Sequence, residues 1–461
     1  MIRDTFAEFC VTTEYEALTE ESIRFAKRCW MDQIGLLIAS NQTYREDYPD
    51  IGALMSGLGG LPESTVFGTG QKVPCLHATL ANTAVGINDH FDAVHKSTII
   101  HLPAALLPAL LAVAERQHAS GKDLILASVI GAEVMARFGI AMGATSTYAR
   151  GFHPTSICAP LGCAAGAGKL LGLNQTQFAE ALSLAAVQAA GSSVWAGPIY
   201  PASWSFQVGK GAESGVLAAL LGQAGFTGVD NIFDHDRGFL NAFSQKSDPA
   251  KLTEGLGSGE AYEIAEVSFK RIGVGVYIMT AIEGLIESIE KNQIKPEEIS
   301  AITVKLATVV VPLVGSPGYP ENRAATHLNT RYIMAVAAYR GNDVFYSMDP
   351  FGSTNRADPR IIDLFKKIEI GGDPELDSGF PQEKSCILEI SISDGRKFVQ
   401  RYNGPFKGDP ANPLSAHDIE RKFNTMTVPI LGQAQSTKLA NMVKDLEKLD
   451  DVSRLIELML A

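Results

Sequence analysis

Apolar residues recur at helical spacing along most of residues 1–269. Because three or four apolar side chains in every two turns bury one face of a helix, this spacing predicts a series of packed helices. The clearest cover residues 102–116 and 123–137, with a turn at Ser120-Gly121 between them. We therefore expect the first part of the chain to be helical.

Two more predicted helices, residues 155–171 and 208–224, consist largely of Ala, Gly and Ser. Small side chains let helix axes approach closely, so we expect these helices to lie at the centre of the core. Between them, Asn174 and Gln177 form the pattern of a capping box. That pattern predicts the start of another helix, which reaches about Ala190.

The pattern changes after Lys270. Val and Ile alternate with Thr and Lys over residues 299–311, which predicts a strand. Alternation on both sides of Asp394-Gly395 predicts a hairpin, since an Asp-Gly pair is a strong signal for a tight turn. The helices predicted in this part are residues 275–291 and 330–340.

From about Ser415 the pattern is helical again, up to a final predicted helix in residues 438–460. We expect this last segment to pack against the first helical part. The residues thus predict an α+β module set inside an otherwise helical protein. A chain of 461 residues is also long enough for more than one core.

Charge and composition narrow the classes of partner. The chain is 46% hydrophobic with a formal net charge of -12, and its longest basic run is a pair such as Lys366-Lys367. Nucleic-acid binding depends on clustered Lys and Arg, so nucleic acid is not an expected partner. The six cysteines are scattered, without the spacing of zinc or redox sites, and we expect buried free thiols.

The N-terminus lacks the charged-then-apolar pattern of a signal peptide. The longest apolar run, residues 102–114, contains two prolines and is too short to cross a bilayer. We therefore expect a cytoplasmic protein without a membrane partner.

Candidate catalytic residues are concentrated just before the predicted helix at 102–116. Of nine histidines, four fall within 25 positions, at His77, His90, His95 and His101. So many ionisable groups are hard to explain by packing, and a loop at a pocket mouth suits them better. Metal binding is the alternative, with Asp92 as a further ligand. No two of the three histidines from His90 onward are four residues apart and no HExxH motif occurs, so we expect no metal.

A second candidate is the segment from Tyr148 to Pro154, ahead of a small-residue helix. The N-terminus of a helix suits a carboxylate, Arg150 could clamp it, and His153 could act as acid or base near neutral pH. An exposed polar turn is the alternative. Lys270 and Arg271, at the junction with the α+β module, form another candidate carboxylate site. The alternative, and the more common case for two adjacent cations, is a pair of charged residues at the surface.

Glycine-rich segments at 57–60 and 273–275 do not follow a strand with dinucleotide-binding spacing. The Gly209-Lys210 pair lacks the rest of a phosphate loop. We therefore expect no nucleotide site, and the cysteines offer no set that could hold an iron–sulfur cluster.

Several of these motifs together resemble the MmgE/PrpD family, which includes 2-methylcitrate dehydratases, cis-aconitate decarboxylases and iminodisuccinate epimerase. The resemblance runs almost end to end, and its most diagnostic string is Gly-Asp-Pro-Ala-Asn-Pro-Leu-Ser at 408–415. The other matching segments are 90–103, 151–154, 170–173, Phe269-Lys270, Tyr332 with its Ala-rich helix, and the Asp394-Gly395 hairpin.

The resemblance implies a multidomain α and α+β fold. Residues 1–269 and 403–461 would form a large all-helical domain, and residues 270–402 a smaller α+β lid. It further implies a homodimer, a site between the two domains, and chemistry without a cofactor.

The family's catalytic pattern carries over in part. Its first aspartate is replaced by His90 and its threonine by Val94. An active-site lysine is missing from the segment that here reads Trp-Ser-Phe-Gln-Val-Gly at 204–209. The retained family positions are His101, His153, Lys270 and Tyr332.

These changes remove groups that would grip a carboxylate and assist a leaving group, while groups able to move protons remain. We therefore predict an epimerase acting α to a carboxylate on a small anionic polycarboxylic acid, such as iminodisuccinate. The alternatives are a dehydratase or decarboxylase of 2-methylcitrate-like or aconitate-like acids, and a non-catalytic binding relative. The predicted catalytic residues are His90, Lys96, His101, His153, Lys270 and Tyr332. The predicted substrate-binding residues are Tyr148, Arg150, Arg271, Trp204 and Gln207.

Overall fold

The structure is a computed structural model that describes residues 1–195, 199–259, 261–348 and 350–460. Its α-helices are α1 Ile2–Thr12, α2 Glu20–Asp47, α3 Ile51–Gly57, α4 Cys75–Gly86, α5 Leu102–Gln117, α6 Gly121–Met142, α7 Ala144–Ala149, α8 Pro154–Leu170, α9 Gln175–Ala186, α10 Ser203–Gln223, α11 Phe239–Phe243, α12 Ala250–Thr253, α13 Met279–Lys291, α14 Val311–Val314, α15 Arg323–Thr326, α16 Thr330–Arg340, α17 Ser353–Arg356, α18 Pro359–Phe365, α19 Ala416–Lys444 and α20 Ser453–Met459.

The strands are short and form three small sheets. They are β1 Ser64–Val66, β2 Gln71–Val73, β3 Val94–His95, β4 Val267–Ser268, β5 Ile299–Leu306, β6 Ile368–Gly372, β7 Cys386–Ile392 and β8 Lys397–Tyr402. β1 pairs with β2 and β3 with β4, both antiparallel. The third sheet has the order β6-β5-β7-β8, with β5 and β6 parallel and the other neighbours antiparallel. The mainly helical fold with a small α+β part is confirmed.

Helix starts follow from local chemistry. The Asn174 side chain accepts from the Gln177 N–H, and the Gln177 side chain accepts in return from the Asn174 N–H, so the predicted capping box opens α9. Ser120 and Ser415 start α6 and α19 in the same way. Each box satisfies backbone donors that a helix N-terminus leaves without partners inside the helix.

The centre of the core is α8, which packs against α5, α6, α9 and α10. Small residues make this packing possible. A Cβ at Gly131 or Gly162 would lie 2.8 Å from the other residue's carbonyl oxygen, and one at Gly215 would lie 2.5 Å from the Pro160 oxygen. The expectation that α8 and α10 are central helices is confirmed.

Helix α6 is long and apolar enough to cross a membrane, with a mean hydropathy of 1.8 over its best window. However, 94% of that window is buried against the rest of the protein. Core helices pass the same test of length and composition, so α6 is a core helix here.

The end of the chain packs against its beginning. Helix α19 lies along α2, where the buried Lys422 amine is 2.5 Å from Asp32 Oδ1. Lys27 and Glu447 form a second ion pair at 2.9 Å. α19 is broken at Gly432, which has a φ of 75° and lies three residues after Pro429.

In the α+β part, α13 and α16 pack against one another and cover the four-stranded sheet. β7 alternates between buried and half-buried positions, as its sequence predicts, and β8 is a largely exposed edge strand. The predicted strand at 299–311 is too long, since β5 ends at Leu306 and Val311 begins α14. Pro312, which lacks an N–H for the sheet, sits in the first turn of α14.

Candidate active site

The histidine-rich stretch is buried, whereas the sequence suggested a loop at a pocket mouth. His90, His95 and His101 are 2%, 0% and 8% exposed. Strand β3 in this stretch pairs with β4, just before Lys270. That pairing explains how residues some 180 positions apart in the chain reach the same site.

A narrow cavity lies against this stretch. Its volume of about 10 Å³ matches about one water molecule, so a substrate must push its walls apart to enter. The walls come from both parts of the chain, and the lining residues are His90, Ile99, His101, Tyr148, His153, Trp195, Trp204, Gly275, Val276, Tyr277, Leu313 and Leu328.

His101 is held by a charged network on one side of the cavity. Its Nδ1 is 2.6 Å from Asp92 Oδ2, and the Lys270 amine is 3.5 Å from Asp92 Oδ1. Burial alone would raise the pKa of Asp92, but the charges of His101 and Lys270 outweigh it and lower that pKa. Because the ionised carboxylate can only accept, Nδ1 carries the proton. Nε2 of neutral His101 is then free to act as a base.

His153 is held in the opposite tautomer. The Gln207 amide accepts from the Ser192 N–H at 2.9 Å and donates to the Ser192 carbonyl at 3.0 Å, which fixes its orientation. Its NH₂ group also lies 3.3 Å from His153 Nδ1, and Ser156 Oγ lies 2.8 Å from the same nitrogen. Nδ1 is therefore an acceptor, and the proton of neutral His153 sits on Nε2. Burial, and then the charge of His101, lower the pKa of His153 well below its usual value.

The rings of His101 and His153 are 6.4 Å apart. Both side chains line the cavity. One ring offers a lone pair at Nε2 and the other an N–H, so the pair can take and give protons on one substrate.

His90 forms the other side of the cavity. It stacks on Trp204 with ring centroids 4.0 Å apart and planes at 29°, and Tyr200 packs on it edge to face at 5.5 Å. Burial lowers the pKa of His90 well below its usual value, and nearby histidines and Lys270 add to this. Its φ of 49° and that of Ile99, 60°, are left-handed, a costly conformation that is often found at functional sites.

Behind His90 lies a second histidine that the sequence did not single out. His327 Nδ1 donates to the Gly273 carbonyl at 2.6 Å, and its Nε2 is 3.2 Å from the Arg323 guanidinium. Arg323 is itself paired with the buried Asp89 and with Asp47. Burial, followed by the charge of Arg323, lowers the pKa of His327 to about 4.

Two tyrosines complete the walls. The hydroxyls of Tyr148 and Tyr277 are 2.9 Å apart, and burial raises the pKa of Tyr148 to about 12. Burial raises the pKa of Tyr277 as well, so both stay protonated. One hydroxyl donates to the other, which leaves one O–H to donate to a ligand.

An outer cavity of about 400 Å³ adjoins the inner one. Tyr148, Trp195 and Leu313 line both, so these three side chains form the boundary between them. A third cavity, of about 590 Å³, lies at Ser97, Thr145 and Gln382. No His, Asp, Glu or Tyr is among the described residues lining it, and the chemistry favours the smaller site.

Several predicted site residues lie elsewhere. Lys96 is 3.9 Å from Asp409, and Arg271 pairs with Glu283 and lies over the Phe345 ring. None of the positively charged or lid residues Lys96, Arg150, Lys270, Arg271 and Tyr332 is among those lining the cavity.

These predicted residues lie away from the cavity for different physical reasons. Arg150 is exposed at the end of α7. The Tyr332 hydroxyl donates to the Phe351 carbonyl at 3.0 Å. Lys270 is fully buried behind Asp92, where it also donates to the carbonyls of His90 and Val274. Its place supports a role in holding Asp92 rather than direct contact with substrate.

Sequence reasoning missed Asp92 as the partner of His101, the wall residues Trp195 and Tyr277, and His327 behind His90. Asp92 could have been found, since it lies in the same stretch as His101. The others come from separate segments and carried no local signal. Within the described ranges, no three His, Cys, Asp or Glu side chains are placed to share a metal ion.

Comparison with known proteins identifies the family of the chain. The sequence models of the MmgE/PrpD N-terminal and C-terminal domains match residues 4–252 and 274–448. Cis-aconitate decarboxylase of Mus musculus is 27% identical over 474 residues, covering 99% of this chain and 93% of that protein.

The Homo sapiens cis-aconitate decarboxylase is 26% identical, with 99% of this chain and 94% of that protein covered. The Aspergillus terreus (strain NIH 2624 / FGSC A1156) cis-aconitate decarboxylase is also 26% identical, covering 86% and 83%. With both domain models matched and relatives similar along most of their length, the chain belongs to the MmgE/PrpD family of enzymes.

Proposed function

We propose that the protein is a cofactor-independent lyase that moves protons on a carboxylic acid, next to a carboxylate. The observation that carries the proposal is the pair of His101 and His153, fixed in opposite tautomers in one buried cavity. Similarity to cis-aconitate decarboxylases favours a lyase over the epimerase predicted from the sequence.

The two histidines can serve either lyase reaction. In a decarboxylation, the bond to the leaving carboxylate breaks, CO₂ departs, and the electron pair left on carbon takes the proton of His153 Nε2. In a dehydration, His101 Nε2 takes the proton α to the carboxylate, and the electron pair forms the double bond. The hydroxyl then leaves as water with the His153 proton.

Epimerisation is the second candidate, and one observation favours it. His90 and Val94 stand where the family pattern has an acid and a hydroxyl, and the segment 204–209 lacks the family's lysine. Those groups are suited to carboxylate binding and leaving-group departure. An epimerase needs no leaving group, because one base removes a proton and a second group returns it to the other face.

The experiment is incubation in D₂O with 2-methylcitrate, cis-aconitate and iminodisuccinate, followed by NMR and CO₂ detection. The expected result is either release of CO₂ with deuterium in the product, or release of water to give an alkene without added deuterium. Deuterium at the α-carbon without loss of CO₂ or water would replace the lyase by an epimerase. Binding without any exchange would indicate a non-catalytic relative. His101→Asn should abolish dehydration or epimerisation, in which His101 takes the proton, and His153→Asn should abolish either lyase reaction, in which His153 gives one. His417→Asn, on the exposed start of α19, is the matched control.

A further inference from the structure

The route to the candidate acid–base pair lacks fixed charge. Of the twelve described residues that line the inner cavity, none is Lys, Arg, Asp or Glu. The same holds for the eight that line the outer cavity, which include Val194, Val309 and Pro312. A substrate thus passes mainly apolar and aromatic side chains on its way in.

The positively charged side chains near the cavity already form ion pairs with carboxylates. Lys270 is paired with Asp92, and Arg323 with Asp89 and Asp47, all of them buried or nearly so. His90 and His153 are kept neutral by burial. An acid with two or three carboxylates would carry negative charges into this cavity without matching positive partners, which is strongly unfavourable.

Neutral polar groups, in contrast, lie beside the cavity without partners, and two of them, an indole N–H and a phenol hydroxyl, are donors. His90 Nε2, Trp195 Nε1 and the Tyr200 hydroxyl are buried and lack a hydrogen-bond partner among the described residues. His90 and Trp195 line the cavity, and Tyr200 packs on His90. Buried polar atoms without partners are rare in folded proteins, so they point to a ligand that satisfies them. A few neutral donors are enough for a single carboxylate.

His90 and Trp204 form an aromatic surface on this side of the cavity. His90 replaces an acid of the family pattern, and Trp204 belongs to the segment that lacks the family's lysine. Their rings stack with centroids 4.0 Å apart, so the two departures from that pattern meet in space as an aromatic surface. The surface is flat and apolar, and suits a hydrocarbon group.

We infer that the His90–Trp204 pair determines specificity and selects an acid with one carboxylate and an apolar remainder over di- and tricarboxylates. The inference rests on the proposed function, since it names the substrate class of the same site. It replaces the polycarboxylate expected from the sequence.

The test is a ligand-observed NMR titration of the whole protein at pH 7.5 with three unsaturated acids of similar size. These are 3-methylcrotonate with one carboxylate, itaconate with two and cis-aconitate with three. Wild-type protein should bind 3-methylcrotonate at least tenfold more tightly than cis-aconitate, with itaconate between them. Equal affinities, or tighter binding of cis-aconitate, would overturn the inference.

Substitutions then assign the preference to the pair. The double variant His90→Asp/Trp204→Lys should shift the ratio of the two affinities at least tenfold towards cis-aconitate. Trp204→Phe keeps an aromatic surface and should keep the wild-type order, even if the double variant does not fold. Lys210→Gln, on the same helix with its amine at the surface, is the matched control and should leave the ratio unchanged. An unchanged ratio in a folded double variant would contradict the assignment.

Binding and turnover separate the two proposals. Preference for 3-methylcrotonate without proton exchange, CO₂ release or water loss on any acid would overturn the lyase and support this inference. Turnover of cis-aconitate together with its tighter binding would overturn this inference and support the lyase.

Discussion

The two sides of the cavity are built on different physical principles. On one side, His101, Asp92 and Lys270 form a chain in which each polar group has a charged partner. On the other, His90 and Trp204 stack face to face, and His90 Nε2 has no partner among the described residues. Both sides are equally buried, so burial alone does not separate them.

The difference shows where a buried site can change and where it cannot. A charge network is held together by mutual compensation, so removing one member leaves another charge uncompensated. A wall of stacked neutral rings holds no charge that a substitution would leave uncompensated. Its residues can therefore be exchanged for others of suitable size. We therefore expect the His101 side to carry the chemistry and the fold, and the His90 side to choose the substrate.

The largest expected effect is the loss of the base. His101→Asn removes the group that takes the proton, so kcat should fall by about 10²–10⁴-fold. His90→Gln should instead act mainly on KM, because His90 contacts the substrate without moving its proton. Steady-state kinetics on the acid identified in D₂O, with His417→Asn as control, measure both. Similar losses of kcat in the two variants would remove the distinction between the sides.

The next effect is on stability. Lys270→Met leaves the Asp92 carboxylate buried without its cation, which should lower the free energy of unfolding by about 3–5 kcal/mol. Lys397→Met breaks an exposed pair with Glu389 and should cost at most about 1 kcal/mol. Urea denaturation followed by circular dichroism compares the two. Equal losses would mean that the charged side of the cavity contributes no more than a surface pair.

Much of the fold could be read from the sequence because its signals are local. The capping pair of Asn174 and Gln177, and the Asp394-Gly395 turn, act within a few residues of the chain. Where the prediction failed, a local pattern continued past its structural end. Residues 307–311 keep the Val-rich pattern of a strand. However, β5 makes its last pairing at Leu306, whose carbonyl accepts from the Asp373 N–H, and the chain turns at Thr308 into α14.

The site was predictable only in part, and the reason is long-range pairing. His101 and His153 carry chemistry wherever they are placed, so residue type alone drew attention to them. Arg271 looked equally suitable, but Glu283 lies close enough to pair with it, which no local pattern reveals. No local pattern reveals the role of Trp204 either, because its contact with His90 joins two segments over 100 residues apart.

The pH dependence of stability tests His327, which lies behind His90. The pKa of His327 is lowered to about 4 by burial and then by Arg323, whereas in the unfolded chain it returns to about 6.5. As the pH falls below 6.5, the unfolded chain binds a proton that the folded chain does not, so stability decreases until about pH 4.

Between pH 7.5 and 5.0 this group should account for about 2 kcal/mol of lost stability. His327→Gln should remove that share, so urea midpoints at the two pH values should differ less than in wild type. His417→Gln should leave the difference unchanged. A steeper dependence in His327→Gln would show that the sign of the linkage is wrong.

The smallest expected effect concerns the tautomer of His153, which links the two sides. Gln207→Leu removes the amide that donates to Nδ1, at a net cost of about 0.5–1.5 kcal/mol, so kcat should fall about three- to tenfold. Gln207→Glu supplies a carboxylate that accepts from Nδ1–H and raises the pKa of His153. Nε2 then carries a proton only when the ring is protonated, so activity should fall as the pH rises through that pKa, on the basic limb of the pH–rate profile. Gln188→Leu, which removes an amide bonded to the Leu184 carbonyl, is the matched control. A structural role for Gln207 would lower activity in both variants without moving the profile, whereas a shift confined to Gln207→Glu requires that His153 give up its proton from Nε2.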